Sequence, residues 1–348
     1  MARMEMPLTF GMIASLESVN RGPCLSLFQD THRSSPDNKQ DPIRFRNLVK
    51  LLEASLHQKY PETRASEFLE PLRSLENDTE FWSHSMEGLA VLIGIDQFHI
   101  FRLQQPVREL AVVENVFFLA PLRRYLQSTD RFQILGLSLH GLKLFEGNRN
   151  YLDELVPAPG VPTTIEAALG EEQVDSEKGK NVDIETEKYF RAVDKAVLKY
   201  HSHLSGLPLI LACLPEHQSL FHRISNNPFL LGGGIGVNPE NVTHGELKER
   251  AWHHFEPQYT KRLTALIEEY KASQARGLGS DDVALVTRAA AEGRVETLLL
   301  EPDLQGYAEK GRILEDLAEL VGKMGGQVQI IPSDRMPGRT GVAASYRY

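Results

Sequence analysis

Apolar positions along the chain switch between helical and strand-like spacing, and each switch marks an expected element. Leu8 to Val19 is a short apolar segment, and Pro23, Cys24, Leu25, Ser26, Leu27 and Phe28 read as a buried strand. A polar loop follows over 29–40. Asp41 is expected as the N-cap ahead of Pro42, and Phe45, Leu48, Val49, Leu52 and Leu56 then form one apolar stripe of a helix. A second helix is predicted over 63–75, with strand-like runs at 88–95, 98–103 and 110–113. This first region reads as an α/β domain ending near Thr129.

Strands at 132–139 and 142–145 form an expected hairpin across His140 and Gly141, with a third strand at 151–156. After a turn at 157–162, the stretch 170–182 holds Glu171, Glu172, Asp175, Glu177, Lys178 and Lys180 with almost nothing to bury, the pattern of a mobile, solvated loop. Asp183 is expected to cap a long helix with Phe190, Val193, Val197 and Tyr200 on one face. A central strand at 207–214 and a helix at 215–226 follow, an alternation that implies partly parallel pairing.

Glycine-rich 232–236 ends that region. Thr243 and Glu246 make a capping box for a helix reaching about Gln274, and Ser280, Asp281 and Asp282 open another that Gly293 closes. A strand at 295–300, a helix at 311–324, a strand at 327–331 and an edge strand at 342–346 complete an αβα sandwich. The expected fold class is α/β, in three domains at 1–130, 131–245 and 246–348.

Size and composition agree with several folded domains: 348 residues, 41% hydrophobic and 24% charged. Lys plus Arg number 38 and Asp plus Glu 47, so the formal charge is 38 minus 47, or −9. That balance disfavours indiscriminate binding to nucleic acid, so any RNA contact must use local basic groups, and DNA is not an expected partner. Cys24 and Cys213 each sit in an apolar run, as core thiols do. With no run of membrane-spanning length and no leader-like start, the cytoplasm is the expected compartment and no membrane partner is expected.

The candidate chemistry is sparse. Gly232 to Gly236 lacks the Gly-Lys-Ser/Thr ending of a phosphate loop, and no helix begins at once after it. His201 with His203, and His253 with His254, stand at spacings that do not share a helix face, and no Cys cluster or HExxH supplies further ligands. No metal or other cofactor is expected. The absence of a Gly-x-Ser-x-Gly elbow leaves no catalytic residue to name, so nothing identifies an enzyme. Basic residues gather in small groups: Arg44, Arg46 and Lys50; Arg123 and Arg124; Lys178 and Lys180; Arg335 and Arg339. Most such groups are ordinary solvated faces, yet these are the candidate RNA contacts, and a long polar loop bearing Lys178 and Lys180 can reach into a crevice of phosphates.

Several stretches in order carry a family likeness. They are Pro23-Cys-Leu-Ser-Leu-Phe, Gln40-Asp-Pro-Ile-Arg-Phe-Arg-Asn-Leu, Glu87-Gly-Leu-Ala-Val-Leu and Phe118-Leu-Ala-Pro-Leu in the first region. Phe132-Gln-Ile-Leu-Gly-Leu-Ser, Tyr189-Phe-Arg-Ala-Val-Asp and Leu207-Pro-Leu-Ile-Leu-Ala follow in the second. In the third they are Glu246-Leu, Ala251-Trp252, Ala289-Ala-Ala-Glu-Gly-Arg-Val-Glu-Thr-Leu-Leu, Gly326-Gln-Val, Met336-Pro337 and 343–348. Together they resemble the bacterial relatives of the archaeal and eukaryotic class one release factor, in particular their family three, to which Balon-type ribosome hibernation factors are also similar.

The resemblance implies an RNase H-like middle domain and an L7Ae-like last domain. In the release factor a Gly-Gly-Gln tripeptide sits in a middle-domain loop before a long helix, where it enters the peptidyl transferase centre. The matching position here is 170–182, which has no such tripeptide. The chain's literal Gly325-Gly326-Gln327 instead follows a helical stripe of Ile313, Leu314, Leu317, Leu320, Val321 and Met324, where a glycine is a helix stop. The resemblance therefore implies a ribosome-associated factor that occupies the A site without hydrolysis, in hibernation, stalling or rescue. Gly170, Glu171, Glu172, Gln173 and Gly179 would lie near the ribosome's catalytic centre. Its implied partners are the ribosome and rRNA, with an elongation factor as a further one. Two alternatives stay open: a peptidyl-tRNA hydrolase or release-type enzyme using Glu171, Glu172 or Gln173, and an adaptor that binds protein through the L7Ae-like domain.

Overall fold

Three sheets with helices packed on them organise the chain in a mixed α/β fold. The computed structural model describes residues 4–5, 8–18, 22–169, 182–302 and 308–348. The first region runs β1 (Met4–Glu5), α1 (Phe10–Glu17), β2 (Cys24–Asp30), α2 (Asp41–Lys59), α3 (Ala65–Glu76), α4 (Thr79–Ser83), β3 (Gly88–Gly94), β4 (Gln97–Leu103), β5 (Leu110–Glu114) and α5 (Ala120–Leu126). Its sheet has the order β1-β4-β3-β2-β5, antiparallel except for the β1–β4 pair. Strand alternation sends Leu25, Leu27, Leu89, Val91 and Ile93 against Phe45, Leu52 and Leu56 of α2 and Phe68 and Leu72 of α3. Cys24, Phe28, Leu92 and Phe101 pack on the other face with Ile13 and Leu16 of α1 and Leu122 and Leu126 of α5.

Asp41 is not an N-cap. A 3-10 turn at Asp37–Gln40 runs directly into α2, and Gln40 already has helical dihedrals, so Asp41 stands inside the helix. Its buried carboxylate turns back to the loop, accepting hydrogen bonds from the His32 backbone N–H at 2.8 Å and from His32 Nδ1 at 3.0 Å.

The second region contains β6 (Phe132–Leu137), β7 (Leu142–Gly147), β8 (Leu152–Leu155), α6 (Ile165–Leu169), α7 (Val182–Val197), a π turn at Leu198–Ser202, α8 (His203–Ser205), β9 (Leu209–Cys213), α9 (Pro215–Ile224) and β10 (Ile235–Gly236). The order is β10-β9-β6-β7-β8. β9 pairs in parallel with both β10 and β6, while β6, β7 and β8 form the expected antiparallel meander. Leu135, Leu137 and Leu144 pack against Tyr189, Phe190, Val193 and Val197 of α7 and Phe221 of α9. α10 (His244–Ala275) opens on Thr243, whose Oγ1 accepts from the Glu246 N–H at 3.3 Å, and Phe255 on it meets Phe132 with ring centroids 5.4 Å apart.

The last region holds β11 (Gly279–Ser280), α11 (Val283–Ala291), β12 (Val295–Leu300), α12 (Ala308–Lys323), β13 (Gln327–Ile330) and β14 (Val342–Tyr346), with sheet order β11-β14-β12-β13. Asp282 caps α11, accepting from the Leu285 N–H at 2.9 Å. The expected edge strand at 342–346 is an interior one. The chain leaving α10 returns as Gly279–Ser280 and pairs with β14 on the side away from β12.

The chain gathers into two compact units, 1–128 with 267–348, and 129–266. In the first unit, Ser128 and Ile330 form a parallel bridge, so the first and third sheets belong to one body.

The Gly-Gly-Gln tripeptide closes α12. Gly325 has φ 74°, its N–H donates to the Gly322 carbonyl at 3.0 Å, and the Gly326 N–H donates to the Val321 carbonyl at 2.9 Å. These bonds satisfy carbonyls that the helix end leaves free. A Cβ on Gly326 would stand 2.6 Å from Val321 Cγ1 and 2.8 Å from the Val295 oxygen. Gly326→Ala should therefore lower stability by about 2 kcal/mol through overpacking, and Gly325→Ala by about 1 kcal/mol through left-handed strain. Urea unfolding of the full chain checks both, and unchanged midpoints would refute the helix-stop role.

Candidate nucleic-acid interface

α2 presents one group of the expected basic residues. Arg46 and Lys50 are exposed one turn apart, with Arg46 3.3 Å from Glu76, while half-buried Arg44 lies 3.9 Å from Glu109. Beneath this helix start, Asp41 fixes the loop at His32. The hydrogen bond to that carboxylate raises the His32 pKa from 6.5, against an opposing effect of burial, with further raising by the charges of Asp41 and Asp30 and lowering by Arg44. Burial likewise pushes Asp30 up, partly offset by His32 and Arg44. Asp41 thus ties the β2–α2 loop to the helix that carries Arg44, Arg46 and Lys50.

Arg123 and Arg124 are engaged inside the first unit. Arg123 on α5 pairs with Glu17 of α1 and stands 3.8 Å from Glu319 of α12, with 16% of its side chain exposed. Arg124 donates to the carbonyls of Glu301 and Pro302, just past β12. Arg335 ends a 3-10 turn at Ser333–Arg335, 3.8 Å from Asp334, and both it and Arg339 are exposed. Gly170, Glu171, Glu172, Gln173, Lys178, Gly179 and Lys180 lie outside the described residues.

His201, His222, His254 and the glycine-rich stretch have structural roles. His201 Nε2 accepts from the Ala158 N–H at 3.1 Å, and burial lowers its pKa. His222 donates from Nε2 to the Gly233 carbonyl. Burial lowers the pKa of His254, against a hydrogen bond to the Gly232 backbone. Gly234 lies so close to β9 that a Cβ would stand 2.6 Å from the Leu211 oxygen, which accounts for a glycine without a phosphate. Among the described residues, no group of three or more His, Cys, Asp or Glu side chains could hold a metal ion, and no helix is long and apolar enough to cross a membrane.

One basic group goes unnoticed when cations are grouped by adjacency in the chain. Lys188, Arg191, Lys195 and Lys199 are all exposed, while Tyr189, Phe190, Val193 and Val197 between them are buried. The signal is a helical period, cations at i, i+3, i+7 and i+11 on the face opposite the apolar stripe.

Residues 131–294 match the family described as bacterial archaeo-eukaryotic release factor family 3. Solved structures similar to the chain include an archaeal translation termination factor, aRF1, at 16% identity over 97% of this chain and 96% of that one, with a TM-score of 0.29. Ribosome-bound archaeal Pelota with ABCE1 matches at 15% identity over 72% of each chain, with a TM-score of 0.43. Dom34 of S. cerevisiae, a translation termination-like factor that interacts with Hbs1, matches at 12% identity over 75% of this chain and 79% of that one, with a TM-score of 0.43. No curated protein matches this chain.

Removing the buried Asp41 carboxylate should loosen the loop beneath the α2 cations. Asp41→Ala is expected to cost about 2 kcal/mol, because it leaves the partly buried His32 backbone N–H and ring without their acceptor. Because the His32 pKa is raised on folding, its contribution is fully present below about pH 6.5 and is lost as pH rises through the raised value. The stability gap between the native chain and His32→Gln should therefore be widest at acid pH and narrow towards alkaline pH. Unfolding midpoints at several pH values, with an NMR titration of His32, measure it; a gap that widens with pH would contradict the pairing.

Proposed function

We propose that this chain, whose residues 131–294 match bacterial archaeo-eukaryotic release factor family 3, is a ribosome-associated translation factor that occupies the A site without releasing the peptide. It would act in hibernation, stalling or rescue. The family match carries the reading, and the location of Gly-Gly-Gln gives it its non-hydrolytic form. The tripeptide at 325–327 is built into the end of α12, and the Gly325 carbonyl accepts from the Arg347 guanidinium at 2.7 Å. A segment held in this way serves a helix end, whereas a catalytic loop must reach the peptidyl-tRNA ester. The stretch 170–182, at the matching position of the release factor, lacks the tripeptide.

On this reading the working domains are 1–130, 131–245 and 246–348, and the partners are the ribosome, its rRNA and an elongation factor. With a formal charge of −9, contact with rRNA falls to local cations. Among the candidates in the described residues, Arg46, Lys50, Arg335 and Arg339 are exposed, and Arg44, Arg123 and Arg124 are half-buried. Lys178 and Lys180 complete the set at the ribosome's catalytic centre, beside Gly170, Glu171, Glu172, Gln173 and Gly179.

Co-sedimentation with ribosomes across a salt series tests the reading. A bound fraction at low salt that declines steeply as salt rises is expected; no bound fraction at low salt would sink it. Gln327→Ala should sediment with ribosomes as the native chain does, and neither should release peptide from peptidyl-tRNA ribosomes. Release that is lost in Gln173→Ala would replace this reading with a hydrolase.

A further inference from the structure

We infer that the outward face of α7 is a docking surface for an RNA backbone, an inference that rests on the ribosome-binding reading and adds residues to it. Lys188, Arg191, Lys195 and Lys199 stand exposed on this face, which continues into the π turn after α7. At 1.5 Å of rise per residue they span roughly 16 Å, a length over which an RNA strand presents several phosphates. Within 188–199 the one carboxylate is Asp194, and it is buried. Its oxygens accept from Ser225 Oγ at 2.5 Å and from the Asn226 N–H at 2.9 Å, so it ties α7 to the end of α9 and leaves the cations on the surface unopposed by it.

Simpler explanations cover only part of the stripe. Attraction to the negative end of a helix accounts for cations in its last turn, where Lys195 stands, but not for Lys188 or Arg191 further back. Arg191 pairs with Glu187 at 2.8 Å, but the two side chains are 55% and 37% exposed, and such surface pairs yield readily to a stronger anion. Lys188 and Lys195 have no carboxylate partner among the described residues.

The occupant follows from the charge and from what the face lacks. Exposed Ile184 precedes the first cation and Leu204 follows the last, while no exposed large apolar side chain lies between them. A lipid surface needs an apolar face to bury beside the charges, whereas a phosphate backbone needs only spaced cations. The stripe also lies wholly within residues 131–294, the part that matches the release factor family.

The test compares the native chain with Lys188→Gln/Arg191→Gln/Lys195→Gln/Lys199→Gln on naked rRNA and on ribosomes over a salt series. At about 0.7 counterions per single-strand phosphate contact, losing four contacts should make the slope of log affinity against log salt shallower by about 3. Affinity at low salt should fall at least tenfold, with circular dichroism unchanged because all four positions are exposed. Lys195→Gln alone should reduce the slope by about 0.7, which keeps the question open to measurement if the quadruple variant misfolds. Equal slopes for native and variant chains on naked rRNA would overturn the inference. A slope change on naked rRNA, with no binding of the native chain to ribosomes, would uphold this surface and overturn the ribosome reading instead.

Discussion

Burial of the sheets on both faces is the constraint from which the other features follow. β2 and β3 in the first region, and β6 and β9 in the second, are buried along nearly their whole lengths. A strand covered on both sides must be apolar at successive positions, and its sheet must carry helices on both faces. Charged side chains are thereby excluded from most strand positions and collect on the outer faces of the helices. The cations of α2 and α7 stand where they do because Phe45, Leu52 and Leu56, or Phe190, Val193 and Val197, occupy the inner faces.

The polar groups that are drawn inside hold segments together. Asp41 binds the loop at His32 to the start of α2, and Asp194 binds α7 to the end of α9. Arg123 and Arg124 join α5 to α12 and to the end of β12 within one compact unit. A buried carboxylate left without such partners would cost several kcal/mol, which explains why Asp41 and Asp194 each accept more than one hydrogen bond. Asp41 and Asp194 shape the surface without belonging to it, whereas Arg123 and Arg124 are half-buried and already engaged by neighbouring elements.

The Gly-Gly-Gln tripeptide makes the same point about context. Its glycines are required by a left-handed helix end and by the closeness of Val321 and Val295. Gly325 and Gln327 are exposed, yet the hydrogen bonds of Gly325 and Gly326 to Gly322, Val321 and Arg347 fix the segment at the helix end and leave no free loop to carry it to a peptidyl-tRNA ester.

Strand runs, helix stripes and several caps were legible in the chain because they rest on local periodicity and on hydrogen bonds spanning three or four residues. The hairpin across His140 and Gly141, the Asp282 cap and the stop at Gly325 are of this kind. The candidate cations were legible as residue types, and the α7 stripe could have been found by its helical period. Tertiary structure alone decided what depends on partners distant in sequence. It put Asp41 under His32 instead of on its helix, gave β14 a second neighbour in Gly279–Ser280, and engaged Arg123 and Arg124 between elements that lie far apart along the chain. Periodicity determines which side of a segment turns inward, whereas the partner it meets there is set by the packing of the whole chain.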